Sequence, residues 1–265
     1  MKKLCVAANR RQLITQDGAP FYLIGDTAWE LFHRLNREEA EHYLTTRKSQ
    51  GYNMMQSGHG YPSPWCFDMM ASDYAREPVK PVMDGEPCYE DHPINFQTAN
   101  GYYDDYNVRV AAYRNLLGGA CGNTYGHHGV WCMRRDEEVN AYFPNNWKTA
   151  LHRPGALQIA IYRDFASSHM PHDYTPVYDI VEENTHDANY VAAMVKGDEA
   201  LLSIPTGYPI ILNAAAIPFK PNTMVLFDPK TGTYSDAMPV PQSLRIAFPQ
   251  RPAGRNCDYI LILKP

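Results

Sequence analysis

Asp26, His59, Glu86 and His127 share one property: each follows a short apolar run and sits near a glycine. In a parallel α/β layer such strand ends lie on one face, where chemistry is placed in barrels and doubly wound folds. The densest group lies in residues 78–96, PVKPVMDGEPCYEDHPINF. An apolar stretch (Val79, Val82, Met83) runs into Asp84-Gly85-Glu86-Pro87, and Tyr89, Glu90, Asp91, His92 and Asn95 follow. Gly85 permits a turn and Pro87 stops any ladder. The expectation is a strand over 79–83 that presents acids at its mouth; the plain alternative is a solvated acidic loop. Trp29 and Trp131 lie close in sequence to Asp26 and His127. A cleft of carboxylates, imidazoles and indoles suits glycoside hydrolysis. One carboxylate attacks the anomeric carbon, a second protonates the leaving oxygen, and aromatic rings hold the sugar. The side chains expected to hold substrate are Trp29, His59, Glu90, His92, His127 and Trp131.

Other chemistries fit less well. His127-His128 with His59 and Asp26 could bind a metal, but no H-E-x-x-H or comparable helical spacing occurs, so no metal or other cofactor is expected. A serine nucleophile elbow, G-x-S-x-G, is missing from the chain. Gly118-Gly119-Ala120-Cys121-Gly122 follows a predicted helix rather than preceding one, which makes it a helix stop and not a phosphate cradle. His128 reads as a structural histidine. For His59 and His127, structural and functional roles both stay open.

The elements that must position these groups alternate as strand, polar loop and helix. Asp17-Gly18 marks a hairpin, and Phe21 to Ile24 is a short buried strand. Asn36 with Glu39 forms a capping box for a helix to about Gln50, with Gly51 as its left-handed stop. Ala40, Tyr43 and Leu44 form its predicted buried stripe. Tyr52 to Gln56 reads as a second strand. Asp104 or Asp105 caps a helix to Leu117, and the stretch from Asn123 gives another strand end. Residues 154–168 form a helix begun by Pro154, with Leu157, Ile161 and Phe165 on its buried side. From about residue 186 the pattern changes to short strands separated by turns, among them Asp228-Pro229-Lys230-Thr231-Gly232. The predicted fold is thus an α/β layer over residues 1–185 followed by a small antiparallel β-sandwich over 186–265.

Composition narrows the partners. The net charge of −5 and the lack of a long basic block argue against nucleic acid. The 19 tyrosines and all four tryptophans, which fall before residue 186, favour a neutral polyol or sugar, whose C–H face stacks on a ring. Cys5, Cys66, Cys88, Cys121, Cys132 and Cys257 show no C-x-x-C spacing, which suggests reduced thiols and a cytoplasmic protein. No apolar run is long enough to span a membrane.

Longer motifs point the same way. GDTAWELFHRLNREEAEHYLTTRKSQGYN resembles the first strand and helix of the apiosidase-like glycoside hydrolases, a bacterial (β/α)8-barrel family. NMMQSGHG, PVKPVMDGEPCYEDHPINF, VRVAAYRNLLGGACGNTYGHHGVW and the LHRPGALQ helix are similar to the last three strands of that barrel. The tail is similar to the collagen-binding-type sandwich that follows it. The resemblance implies retaining hydrolysis of plant-polysaccharide glycosides without a metal, and matches Glu86 to the nucleophile. A full barrel needs about 250 residues, and only about 185 precede the sandwich. The expectation is therefore an incomplete TIM-barrel-like layer, joined near Tyr52 to Met55, that lacks the strand carrying the family's acid/base. Asp26 is the first candidate for a second carboxylate. Open sheet edges would close in a distorted form or pair with a second copy, giving a homo-oligomer. The alternative functions are a non-catalytic carbohydrate-binding protein and an interaction module carried by the sandwich.

Overall fold

A computed structural model of the chain describes residues 2–52, 54–56, 66–169, 174–248 and 252–265. Strands β1 (Leu4–Val6), β2 (Leu13–Thr15) and β3 (Pro20–Phe21) form a small antiparallel sheet, with Gly18 at φ +85° in the turn between the last two. Next comes β4 (Leu23–Thr27), which pairs in parallel with β5 (Met54–Gln56) on one side and β6 (Gly122–Tyr125) on the other. A parallel bridge between Glu90 and His127 brings the acidic segment alongside the end of β6.

The helices in order are α1 (Leu31–Arg34), α2 (Arg37–Ser49), α3 (Cys66–Tyr74), α4 (Asp105–Leu117), α5 (His128–Trp131), α6 (Trp147–Ala150) and α7 (Pro154–His169). Their ends follow local chemistry. Asn36 and Glu39 form the expected capping box at α2, and Gly51 sits just past its end at φ +90°. Asp104 caps α4 through the Tyr106 and Asn107 amides. The faces differ from expectation. In α2 the buried third residue is Arg47 rather than Leu44, because its guanidinium reaches Asp26. In α7 Leu157 is exposed, and Ala156, Ile159, Tyr162 and Ala166 are buried alongside Phe165.

No strand forms over 79–83. Pro78, Pro81 and Pro87 remove amide donors from this stretch, so a continuous ladder is not available to it. Val82 nevertheless offers its carbonyl to the Cys121 amide at 2.8 Å.

The C-terminal sheet starts ahead of the expected boundary at residue 186. Strand β7 (Thr175–Val177) already pairs with β8 (Ala192–Lys196). The others are β9 (Glu199–Ile204), β10 (Ile210–Ile211), β11 (Thr223–Asp228), β12 (Thr233–Tyr234), β13 (Met238–Pro239), β14 (Arg245–Ile246) and β15 (Tyr259–Lys264). The large sheet runs β12-β11-β15-β9-β8-β7, with β13 also on β11, and β10 and β14 form a separate ribbon.

Alternation along these strands builds two cores. Leu202, Leu261 and Leu263 face the ribbon with Ile210 and Ile246. Leu201, Ile260 and Ile262 face the other way, into a cluster with Tyr113 of α4, Phe165 of α7 and Ile24 of β4. Helices α4 and α7 are therefore shared between the parallel and antiparallel sheets. A buried ion pair adds to this seam: Arg109 Nε and Nη2 donate to Asp258 Oδ2 and Oδ1 at 2.7 and 2.8 Å. The α/β layer and the antiparallel sheet are thus packed directly on one another.

Candidate active site

Three chain segments meet at the ends of the parallel strands. The turn after β4 carries Trp29, the segment after residue 84 carries Glu86, Tyr89 and His92, and α5 carries His128 and Trp131. Together with Pro87, Cys88, Phe96 and Tyr142 they line an open cleft of about 580 Å³. Trp29 and Trp131 meet edge to face, 6.3 Å between ring centres.

Glu86 is half-buried in this cleft. The Tyr89 hydroxyl donates to its Oε1, and burial, with the Glu86 carboxylate after it, raises the Tyr89 pKa far above its ordinary value. Tyr89 thus stays a donor. Its ring packs close against Gly126, where an added Cβ would stand 2.0 Å from Tyr89 Cδ1. A glycine after β6 is therefore what lets the acidic segment close against the sheet.

Helix α5 is one turn long, and His127 caps it by accepting from the Gly129 amide at Nδ1. Positions 128 and 131 fall on the same side of that turn, so Trp131 Nε1 donates to His128 Nδ1 at 3.3 Å. The His128 ring stacks on Phe143, with 4.3 Å between centres and 6° between planes. The Arg134 guanidinium lies 3.8 Å from the centre of the Phe143 ring. Burial first, and then the nearby His92, His127 and Arg134, which disfavour a further positive charge, push the His128 pKa down to about 3, so the ring is neutral. His92 lies beside it and is lowered too, mainly by burial.

Of the side chains expected from sequence to form the site, the structure gathers Glu86, Trp29, His92 and Trp131. Three others it seals away. Asp26 gives Oδ2 to the Tyr43 hydroxyl and to Arg47 Nε, both at 2.5 Å, and Oδ1 to the Thr27 amide at 2.9 Å. With one oxygen in a buried ion pair and the other on a backbone amide, it does not line the cleft with Glu86. Glu90 is 0% exposed. It accepts from the Tyr125 hydroxyl at 2.6 Å and from the Gly155 amide at 3.2 Å, at the positive end of α7. Burial raises its pKa. His127 is closed in as well, with Nε2 donating to Asp91 Oδ2 at 3.0 Å. Burial would raise Asp91, but His127, Arg153 and Asn145 outweigh it and hold its carboxyl below the usual range. His59 lies outside the described residues.

Sequence reasoning missed His128, Tyr89, Phe96 and Tyr142. Tyr142 and Phe143 sit in a loop turned by Asn140, whose Oδ1 accepts from both their amides; the Asn two residues before an aromatic pair was the available signal. His128, which reads from sequence as structural, lines the cleft, whereas His127, open between the two roles, does not. Among the described residues no cluster of three metal-ligating side chains forms, and no helix is long and apolar enough to cross a membrane.

The profile of the apiosidase-like catalytic domain matches residues 7–56 and 53–172. The chain belongs to the apiosidase-like family. It is an enzyme of the glycoside hydrolase class. Residues 177–264 match a second family, named for a collagen-binding domain of a collagenase. A search of curated proteins finds no match. Among solved structures, one described as a glycoside hydrolase is 18% identical, covers 99% of this chain and 97% of its own, and has a TM-score of 0.86. A glycoside hydrolase family 5 protein from Bacteroides vulgatus is 17% identical, with 99% and 93% covered and a TM-score of 0.87. At these identities they establish the fold. The apiosidase-like match spans all three segments that build the cleft, including Glu86 and both indoles.

Proposed function

We propose that this apiosidase-like domain is a retaining hydrolase of plant-polysaccharide-derived glycosides and that Glu86 is its nucleophile. The observation that carries the reading is that Glu86 is the carboxylate lining an aromatic cleft, among the described residues. Its carboxylate attacks the anomeric carbon, the bond to the leaving oxygen breaks, and a glycosyl ester forms that water later hydrolyses. Tyr89 orients the carboxylate through its hydroxyl. The aromatic walls stack on the sugar ring.

With Asp26 engaged by Arg47, the described residues offer no second carboxylate at the cleft. This fits a barrel whose middle is missing, and it sets the expected kinetics. Acid assistance is worth about 10²–10⁴-fold. Glycosides with poor leaving groups then react slowly, activated aryl glycosides react faster, and the glycosyl ester accumulates because water lacks its base. The test is a burst experiment with a dinitrophenyl glycoside, intact mass of the trapped protein, and acceleration by azide. A folded sample that gives no burst, no adduct and no azide effect removes Glu86 from the role.

The same single carboxylate favours a second reading, a carbohydrate-binding protein without turnover. Glu86→Gln separates them: it abolishes turnover under the first and leaves sugar binding largely intact under the second. We further place the enzyme in a reducing compartment such as the cytoplasm, since Cys5, Cys88, Cys121, Cys132 and Cys257 are free thiols. The exposed edges of a shortened barrel make a homo-oligomer the expected assembly, to be tested by light scattering.

A further inference from the structure

The cleft contains a hydrogen-bonding pair that nucleophilic attack by Glu86 does not use. His128 lines the cleft and is only 1% exposed. Its Nδ1 accepts from Trp131, which assigns the proton to Nε2. That buried Nε2–H has no partner among the described residues. Buried donors are normally satisfied, so one held open at a ligand cleft calls for an explanation. The ring cannot easily turn away, because it is stacked on Phe143 and tied to the Trp131 indole. His92 meets it at 4.4 Å between ring centres, nearly at right angles. There the assignment is opposite: Nδ1 donates to the Pro93 carbonyl at 2.8 Å, leaving Nε2 as the acceptor.

Two neighbouring imidazoles that line the cleft therefore carry opposite tautomers, one with an unpartnered N–H and the other with a ring lone pair. A hydroxyl accepts and donates at once, and so satisfies both. A carboxylate has no proton for His92, and an ammonium has no lone pair for His128. We propose that His128 and His92 together bind one hydroxyl of the sugar ring, His128 as donor and His92 as acceptor, and that this selects neutral sugars over uronic acids. The inference rests on the glycoside hydrolase reading of the same cleft. Burial keeps both imidazoles neutral, so the pair stays complementary to a hydroxyl near neutral pH.

The test uses the full chain and p-nitrophenyl glycosides of neutral sugars and of uronic acids. The best substrate is then compared with its monodeoxy analogues in the parent protein and in His128→Phe, which keeps a ring for the Phe143 stack and loses the donor. Removing the hydroxyl at one position is expected to lower kcat/KM about tenfold in the parent. His128→Phe is expected to show the same loss on the full substrate and no further loss on that analogue. His92→Phe is expected to couple to the same position, and serves as the test if His128→Phe does not fold. Losses that add at every position, or uronides cleaved as well as neutral glycosides, overturn the proposal while leaving the hydrolase reading intact. If the parent cleaves none of the glycosides, saturation-transfer NMR with the methyl glycosides decides. Binding to the parent that weakens in His128→Phe upholds the pair and removes the catalytic reading; absence of binding to the parent overturns the pair.

Discussion

The α/β layer and the antiparallel sheet bury different kinds of group. Behind the cleft, the interior holds the Asp26–Arg47 pair, Glu90, and Asp91 with His127, Asn145 and Arg153. Between the large sheet and its ribbon the core is Val191, Leu202, Leu212, Leu226, Ile246 and Leu261. An apolar core gains from burial in any well-packed arrangement, so it tolerates rearrangement. A buried charge is tolerable only with its own partners in place. The α/β layer is thus the more directional and the less forgiving half. Glu86 is held there by a hydroxyl and a glycine rather than by a ladder.

The sharpest way to separate the halves is to attack the cleft without touching either core. Glu86→Gln is expected to lower kcat on aryl glycosides by about 10⁴-fold or more. Because Glu86 is only half-buried, urea unfolding is expected to change little. Normal turnover in this variant would move the chemistry to another group. Next in size is the seam. Arg109→Met leaves Asp258 buried without its partner and is expected to cost about 3–5 kcal/mol in urea unfolding. Replacing both, with Asp258→Leu, is expected to recover much of that loss. A single variant as stable as the parent would mean that the seam rests on apolar packing alone. Leu261→Ala, in the outer core, is expected to cost about 2–5 kcal/mol while leaving kcat per folded molecule unchanged. A fall in kcat there would couple the sheet to the cleft and weaken the contrast.

Acid provides the gentlest comparison. His128 has a folded pKa of about 3 against an ordinary 6.5, so the folded state binds fewer protons than the unfolded one. Its contribution to stability is complete above about 6.5 and is lost as pH falls toward 3. Glu199, in the sheet, sits among Tyr174, His169 and Lys264. Burial would raise its pKa, but those partners together bring it down from 4.5 to about 2. Its contribution is complete above about 4.5 and is lost as pH falls toward 2. Unfolding measured against pH is expected to lose its first acid limb in His128→Phe and its second in Glu199→Gln. One shared limb, removed by neither, would place the acid sensitivity elsewhere.

The sequence alone determined the features whose causes are local. The Asn36–Glu39 box, a cap at Asp104 or Asp105 (Asp104 in the structure) and the glycines at 18 and 51 act over a few residues, and their geometry follows the local reading. The strands of the C-terminal sheet were legible because both its faces are buried, leaving short apolar runs between strong turns. Glu86, Trp29, His92 and Trp131 could be singled out by residue type beside glycine and proline, and the structure brings all four to one cleft. Tertiary structure decided which neighbouring polar groups face the cleft and which turn inward. Glu86 and Glu90 lie in one segment, yet only Glu90 meets Tyr125 and the Gly155 amide. His127 and His128 are adjacent, yet Asp91 takes the first while Trp131 and Phe143 hold the second beside the cleft. Except for Trp131, one turn from His128, the partners that make these choices come from distant parts of the chain. A buried ionisable group goes where those partners are, and residue type and local spacing do not carry that information.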